Sequence, residues 1–221
     1  MPRLLAFSDD RVAAFEDLGV RAAAIAAAGP SVALVARLPL GSTDALASLA
    51  QRFVALAAPP MAAVLVTARM DVARAVGAHG VILRNDDLRV REVRSLDSTP
   101  SGRSPSTSSG QDAQDAKWVF RSVHTESEAE AAARDGADAI VVGTIWPTAT
   151  HPSQPPAGTA LLERVVSFGV PTYAIGGVTP GRVAEAKAAG AWGVAAIAAL
   201  WDAAAPYRVA MEMMKPWMEM G

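Results

Sequence analysis

One device, used three times, constrains the fold of this chain more than anything else in it. Val76-Gly77-Ala78-His79-Gly80-Val81, Asp135-Gly136-Ala137-Asp138-Ala139-Ile140 and Ala189-Gly190-Ala191-Trp192-Gly193-Val194 each join an Ala-rich helical stretch to a short apolar run. In each, a glycine sits just past the helix end, where a left-handed backbone is needed. The chain then turns back into a strand. A helix that hands the chain to a strand in this way builds a parallel sheet, because parallel neighbours need a crossover.

The rest of the chain repeats that plan. Apolar runs at 3–7, 32–36, 62–66, 81–83, 118–121, 139–142, 172–175 and 194–197 lack polar alternation, as strands covered on both faces do. Helices are predicted between them, over 11–28, 42–58, 70–76, 86–94, 125–135, 159–168, 180–189 and 201–220. Ser42-Thr43-Asp44 supplies capping oxygens at one start, and Thr125 with Glu128 has capping-box spacing at another. Eight strand–helix units in 221 residues predict an α/β fold, a (β/α)8 TIM barrel formed by one domain over 1–221. A doubly wound open sheet is the alternative, since alternation does not itself show closure. The segment 95–116 breaks the pattern. It is rich in Ser, Gly, Pro and Asp, and is expected to be a disordered or mobile insertion outside the active site.

Composition narrows the function classes. A net charge of −2 and a pI near 5.9 argue against a basic surface for nucleic acid or anionic membrane. With no cysteine, thiolate metal sites, disulfides and a Cys nucleophile are excluded, which suits a reducing cytoplasm. Mean hydropathy is high at +0.23, yet the most apolar stretch, 22–36, is broken by Gly29, Pro30 and Ser31 and falls short of a membrane span. The start of the chain reads as no signal peptide, because Ser8-Asp9-Asp10-Arg11 interrupts it too early.

In such barrels the carboxyl ends of the strands carry the chemistry. The polar residues there include Asp9, Arg37, Thr67, Arg69, Arg84, Asn85, Asp86, Asp87, Ser122, His124, Thr144, Thr148, Thr150 and His151. His79 precedes its strand and is expected at the opposite end as a solvated turn residue. Gly176 and Gly177 end strand seven, with Thr179 and Pro180 opening the next helix; glycines let phosphate oxygens reach backbone N–H groups. Strand-eight amides, at Ala196 and Ile197, would complete a phosphate site; the alternative is a tight turn that merely needs glycine. His124 is the candidate for proton transfer, with Ser122 on the same side of the strand. His151 lies in a Pro-rich loop, as a lid residue or an exposed one. Arg37, Arg69 and Arg84 end three successive strands and together could hold an anion; each alone could equally be solvated or paired with Asp86 or Asp87. No metal-ligand constellation stands out, and Asp87 is the lone divalent-metal candidate.

Four phrases resemble the thiamine phosphate synthase/TenI superfamily. They are Ser122-Val123-His124-Thr125 with Glu128-Ala129, the segment 143–150 (GTIWPTAT), Ala174-Ile175-Gly176-Gly177-Val178, and Gly190-Ala191-Trp192-Gly193-Val194-Ala195. The first half looks like degraded versions of the family's motifs. Its Gln-x-Arg-x-Lys stands here as Val35-Ala36-Arg37-Leu38-Pro39, its Asn-Asp pair as Thr67-Ala68, and its His-x-Gly as Ile82-Leu83-Arg84. The Lys after Thr-x-Thr is His151, and the serine of the last strand is Ala198. The resemblance implies the TIM barrel and a phosphorylated thiazole as small-molecule partner.

The missing lysines and carboxylate would weaken a pyrophosphate-releasing synthase, whose departing charge needs stabilisation. The resemblance therefore points to a TenI-like thiazole tautomerase, an isomerase with His124 as general acid/base and no cofactor. Arg37, Ser122, Thr148, Thr150 and His151 would contact substrate, and Gly176, Gly177, Ala196 and Ile197 the phosphate. A divergent synthase, with Mg2+ as cofactor, is the alternative, and a non-catalytic phosphate-ligand binder another. A homo-oligomer is compatible with all three.

Overall fold

The computed structural model describes residues 1–57, 62–97, 118–148 and 155–218. Eight parallel strands pair in chain order and close into a barrel. They are β1 (Leu4–Phe7), β2 (Val32–Ala36), β3 (Ala63–Thr67), β4 (Gly80–Leu83), β5 (Trp118–Val123), β6 (Ala139–Val142), β7 (Thr172–Ile175) and β8 (Gly193–Ala196). Pairing of β8 with β1, Leu4 opposite Val194, supplies the closure and rules out the open sheet. The predicted runs at 32–36, 139–142 and 172–175 agree residue for residue; the other strands differ by one or two residues at an end.

Around them lie α1 (Asp10–Ala13), α2 (Leu18–Ala26), α3 (Thr43–Leu56), α4 (Met70–Ala75), α5 (Val90–Asp97), α6 (Glu126–Arg134), α7 (Gly158–Val166), α8 (Val183–Ala188), α9 (Ala198–Trp201) and α10 (Pro206–Met218). The helix predicted over 11–28 is broken in two. The N–H groups of Ala14 and Phe15 fold back onto Arg11 and Val12 in tight turns, and Asp17 then pairs with Arg21 at 2.8 Å. The last predicted helix is also divided, because Pro206 opens α10 where its missing N–H does no harm. The first three residues of the insertion expected at 95–116 belong to a helix instead. Ser95 belongs to α5 and its hydroxyl donates to the Glu92 carbonyl, while 98–116 lies outside the described residues.

Strand alternation divides the core into two layers. Leu5, Phe7, Ala33, Val35, Leu65, Ile82, Phe120, Val141, Tyr173 and Ala195 fill the barrel. Leu4, Ala6, Val32, Leu34, Val64, Val81 and Val119 face the helices. Both faces are dry, and this explains the unalternated apolar runs. Small residues such as Ala33 and Ala195 leave room inside for Phe120 and Tyr173, whose rings stand 5.7 Å apart. The Tyr173 hydroxyl donates to the Pro2 carbonyl at 2.6 Å, and burial pushes the phenol's pKa up.

His79 sits at the amino end of the barrel, as predicted, but it is not a solvated turn residue. Its Nδ1 accepts from the Val64 N–H at 3.1 Å and its ring stacks on Trp118. Partial burial lowers its pKa. Among the described residues no helix is long and apolar enough to cross a membrane.

Candidate active site

The alternation that fills the barrel runs one layer further at the carboxyl ends of the strands. Two residues beyond Val35, Leu65, Ile82 and Phe120 come Arg37, Thr67, Arg84 and Ser122, and all four line one cavity at the mouth. The pleat alone therefore turns these polar groups inward above the apolar plug.

The mouth has two adjoining chambers. The larger, about 380 Å³, lies over β5–β8 and is lined by His124, Gly143, Thr144, Thr148, Gly176, Gly177, Ala196 and Ile197, with Ser122 and Arg37 on its border. The smaller, about 230 Å³, lies over β2–β4 beside the start of α3, and includes Arg37, Thr67, Ala68, Arg69 and Arg84. Phe7, Arg37, Arg84 and Ser122 belong to both. Every described residue singled out for substrate or phosphate is thus at the mouth. Thr150 and His151 lie outside the described residues.

In the larger chamber backbone geometry dominates. Gly176 and Gly177 both have positive φ, +92° and +65°, and both lie against the β6–α7 loop. A Cβ on Gly177 would come within 2.4 Å of the Pro147 carbonyl oxygen, and one on Gly176 within 2.6 Å of Thr144. The glycines therefore serve the close approach of two loops as well as any ligand. The Gly177 carbonyl accepts from Arg182 at 2.5 Å, which fixes the loop's outer edge. His124 is held by the same region: its Nδ1 lies 2.6 Å from the Gly143 carbonyl oxygen. A carbonyl can only accept, so that contact assigns the proton to Nδ1 and leaves Nε2 for a ligand.

Sequence reasoning missed the supports of this site. Glu128, noted for its capping box, also accepts from the His124 N–H at 2.6 Å and from Asn85 Nδ2 at 3.1 Å, joining β5 to the loop after β4. Arg121 is buried on the helix-facing side of β5. It donates to the carbonyls of Asn85 and Leu88, pinning that loop from beneath. A charged residue inside an apolar run was the available signal. Ala68, at φ +64°, is the one non-glycine residue with positive φ among those described.

In the smaller chamber the three arginines differ. Arg69 binds Asp71 through two hydrogen bonds, at 2.8 and 2.5 Å, and also donates to the Thr43 hydroxyl. Arg84 makes looser contacts, 3.6 Å to Asp86 and 3.4 Å to Asp87. The Arg37 guanidinium has no hydrogen-bond or ion-pair partner among the described residues. Burial pulls its pKa down, opposed by the charges of Asp9 and Asp10, and neighbouring Arg84 adds to the lowering. Asp9 itself caps α1, accepting from the Val12 N–H.

A parallel eight-stranded barrel with a polar, two-chambered mouth at the strands' carboxyl ends is a TIM-barrel protein built to receive a small molecule. Residues 102–200 match the family described as thiamine monophosphate synthase. The thiamine-phosphate synthase of Salinispora arenicola is 37% identical over 196 residues, 87% of this chain and 86% of that protein. That of Salinispora tropica is 38% identical over 194 residues, 86% and 85% of the two. Among solved structures, thiamine phosphate pyrophosphorylase from Pyrococcus furiosus superposes with a TM-score of 0.76 at 24% identity, covering 99% of this chain and 97% of that one, a likeness of fold. The chain belongs to the thiamine-phosphate synthase/TenI family.

These relatives correct one expectation. The missing lysines and carboxylate pointed to a TenI-like thiazole tautomerase, an isomerase. The relatives that match most of the chain are instead named thiamine-phosphate synthase, a transferase. The earlier inference treated each lost charge as irreplaceable at its own position. In a barrel mouth, eight strand ends converge on one cavity, so a charge can be supplied from a neighbouring strand.

Proposed function

We propose that this chain is a divergent thiamine-phosphate synthase, joining a pyrimidine pyrophosphate to a thiazole phosphate. The observation that carries the reading is 37% identity over 87% of the chain to a protein of that name. The paired chambers support it, since the reaction needs two anionic substrates side by side. A bond forms from the thiazole ring nitrogen to the pyrimidine's methylene carbon, while the bond from that carbon to the pyrophosphate oxygen breaks. The electron pair leaves with pyrophosphate, so catalysis depends on orienting the two partners and stabilising the departing charge.

In this reading the larger chamber takes the thiazole phosphate. Backbone N–H groups at Gly176, Gly177, Ala196 and Ile197 face its phosphate, and Thr148 approaches the substrates from the β6–α7 loop; Thr150 and His151 lie outside the described residues. His124, with Nδ1 tied to Gly143, presents Nε2 as a polar contact to the heterocycles. The acid/base role in tautomerisation is not retained. Ser122 and Arg37, on the border of both chambers, meet the pyrophosphate.

The family resemblance implies Mg2+. The residues present do not fit a protein-held site for it. The smaller chamber's lining contains no carboxylate; Asp86 lines the larger one as a single exposed carboxylate 3.6 Å from Arg84, and Asp87 accepts from the Arg84 N–H at 2.6 Å. No group of three or more His, Cys, Asp or Glu side chains suited to a metal occurs among the described residues.

Incubating the purified protein with the pyrimidine pyrophosphate and thiazole phosphate, and following thiamine phosphate by chromatography, tests the reading. Formation of thiamine phosphate with stoichiometric pyrophosphate supports it; ligand-induced thermal stabilisation without product would overturn it in favour of a binding protein.

A further inference from the structure

The smaller chamber is lined by three guanidiniums and by no carboxylate or imidazole. Arg69 is locked to Asp71 and Thr43, which leaves Arg37 and Arg84 facing the space. Arg37 is a half-buried cation without a hydrogen-bond or ion-pair partner among the described residues, so little offsets the cost of its partial burial. Arg84 stands close enough for its charge to be felt at Arg37. Two such forks on the borders of one cavity match the oxygens of a phosphate-type dianion, each able to bind in bidentate fashion.

Arg84 is also built to move at its tip and nowhere else. Its backbone is fixed, with its N–H on Asp87 and the loop's carbonyls held by buried Arg121. Its side chain is 62% exposed and reaches Asp86 and Asp87 only at 3.6 and 3.4 Å, longer than a good charge-assisted hydrogen bond. Exposed pairs of this kind contribute little, so exchanging them for phosphate oxygens loses little.

We propose that Arg84 is a pyrophosphate-binding residue that closes with Arg37 on the leaving group, so that this chain holds that group without a protein-bound divalent cation. The identity of the anion rests on the synthase reading. The smaller chamber is then free of carboxylates because charge neutralisation has passed from an ion to the side chain just past β4.

Isothermal titration of inorganic pyrophosphate into the full-length protein, in EDTA and again in millimolar Mg2+, tests this. Binding is expected in EDTA, weakened about tenfold or more in Arg84→Met, with partial recovery in Arg84→Lys. Arg69→Met, which removes a guanidinium already engaged, is expected to change the affinity less than threefold. Asp86→Asn keeps Arg84 and frees it from one carboxylate, so it is expected to tighten binding in EDTA. Binding that requires Mg2+, Arg84→Met affinity equal to the parent's, or a loss in Asp86→Asn confined to Mg2+ buffer would each overturn the clamp. The titration needs no turnover, so the two readings fail separately. Thiamine phosphate formed with indifference to Arg84 removes the clamp alone, whereas Arg84-dependent binding with no product removes the synthase alone.

Discussion

The two chambers of the mouth are made from different materials. Over β5–β8 the walls are backbone: glycines at positive φ, loops in contact, and a histidine tied to a main-chain carbonyl. Over β2–β4 they are side chains, three arginines of which one is fully engaged, one loosely paired and one without a partner among the described residues. Backbone walls tolerate no added atoms, whereas a charged wall can be rebuilt from another strand end. That difference explains why the family's phrases survive in the second half of the sequence and are degraded in the first.

The largest expected effect lies on the backbone side. Gly177→Ala places a Cβ within 2.4 Å of the Pro147 oxygen and forces an L residue to φ +65°. Left-handed strain and overpacking together should lower stability by about 3 kcal/mol. Urea denaturation monitored by tryptophan fluorescence measures this, and thiazole phosphate binding should fall with it. An unchanged midpoint would mean that the two loops separate freely, and the contrast between the chambers would lose its basis.

On the charged side the expected signs divide. Arg37→Met should reduce kcat/KM about 100-fold, since charge-assisted bonds to an anion are lost. Stability should stay level or rise, because a half-buried cation without an ion-pair partner among the described residues has been replaced by an apolar side chain of similar length. Steady-state kinetics and a melting curve on the same sample decide it. A stability loss as large as that of Gly177→Ala would show that Arg37 supports the fold, and the chambers would then be alike.

The sequence made the barrel legible because its signals are local: helix-end glycines, capping residues and apolar runs of strand length. The mouth was half legible. Strand ends and alternation bring Arg37, Arg84, Ser122 and His124 together, but neither reveals which arginine is engaged. Arg69 is neutralised by Asp71 two residues away, a short-range pair hard to tell from any surface pair. The contact of His124 with Gly143 joins residues 19 apart in sequence, and the link from Glu128 to Asn85 spans 43. Such contacts follow from the closed barrel rather than from any local pattern. The tautomerase expectation failed for the same reason, because losses were counted position by position along the chain while the cavity sums charge across strands.

A smaller effect is expected at the opposite end of the barrel, far from both chambers. His79 accepts from the Val64 N–H, and burial lowers its pKa below the usual histidine value of 6.5. The unfolded chain then binds a proton before the folded one does. His79 therefore contributes stability that is present above about pH 6.5 and is lost as pH falls through its lowered folded-state value. His79→Ala should lower stability by about 1 kcal/mol at pH 8, through the unpaired Val64 N–H, and flatten this part of the pH dependence. Unfolding curves at pH 8, 6.5 and 5 test both, with kcat/KM expected to be unchanged. Any loss of activity would tie the barrel's base to its mouth.

The smallest expected effect gives the sharpest form of the comparison, because it is the reverse of the first substitution. Ala68 sits at φ +64° where β3 passes into α4, nearly the same backbone angle as Gly177. Its N–H donates to the Ile82 carbonyl at 2.9 Å, so the loop holds the residue in that conformation despite its Cβ. Glycine would relieve the left-handed strain while adding freedom to the unfolded chain, and these terms oppose each other. Relief is the larger, so Ala68→Gly should raise stability by about 0.5 kcal/mol. A methyl group at nearly the same left-handed angle thus costs stability in both chambers but several-fold more at Gly177, and the angle is not what separates them. What separates them is the space beyond the Cβ: a carbonyl oxygen at Gly177, and at Ala68 the wall of a cavity. A fall in stability on Ala68→Gly would show that this methyl packs against the loops around it, and that the charged chamber, too, has a wall that sterics protect.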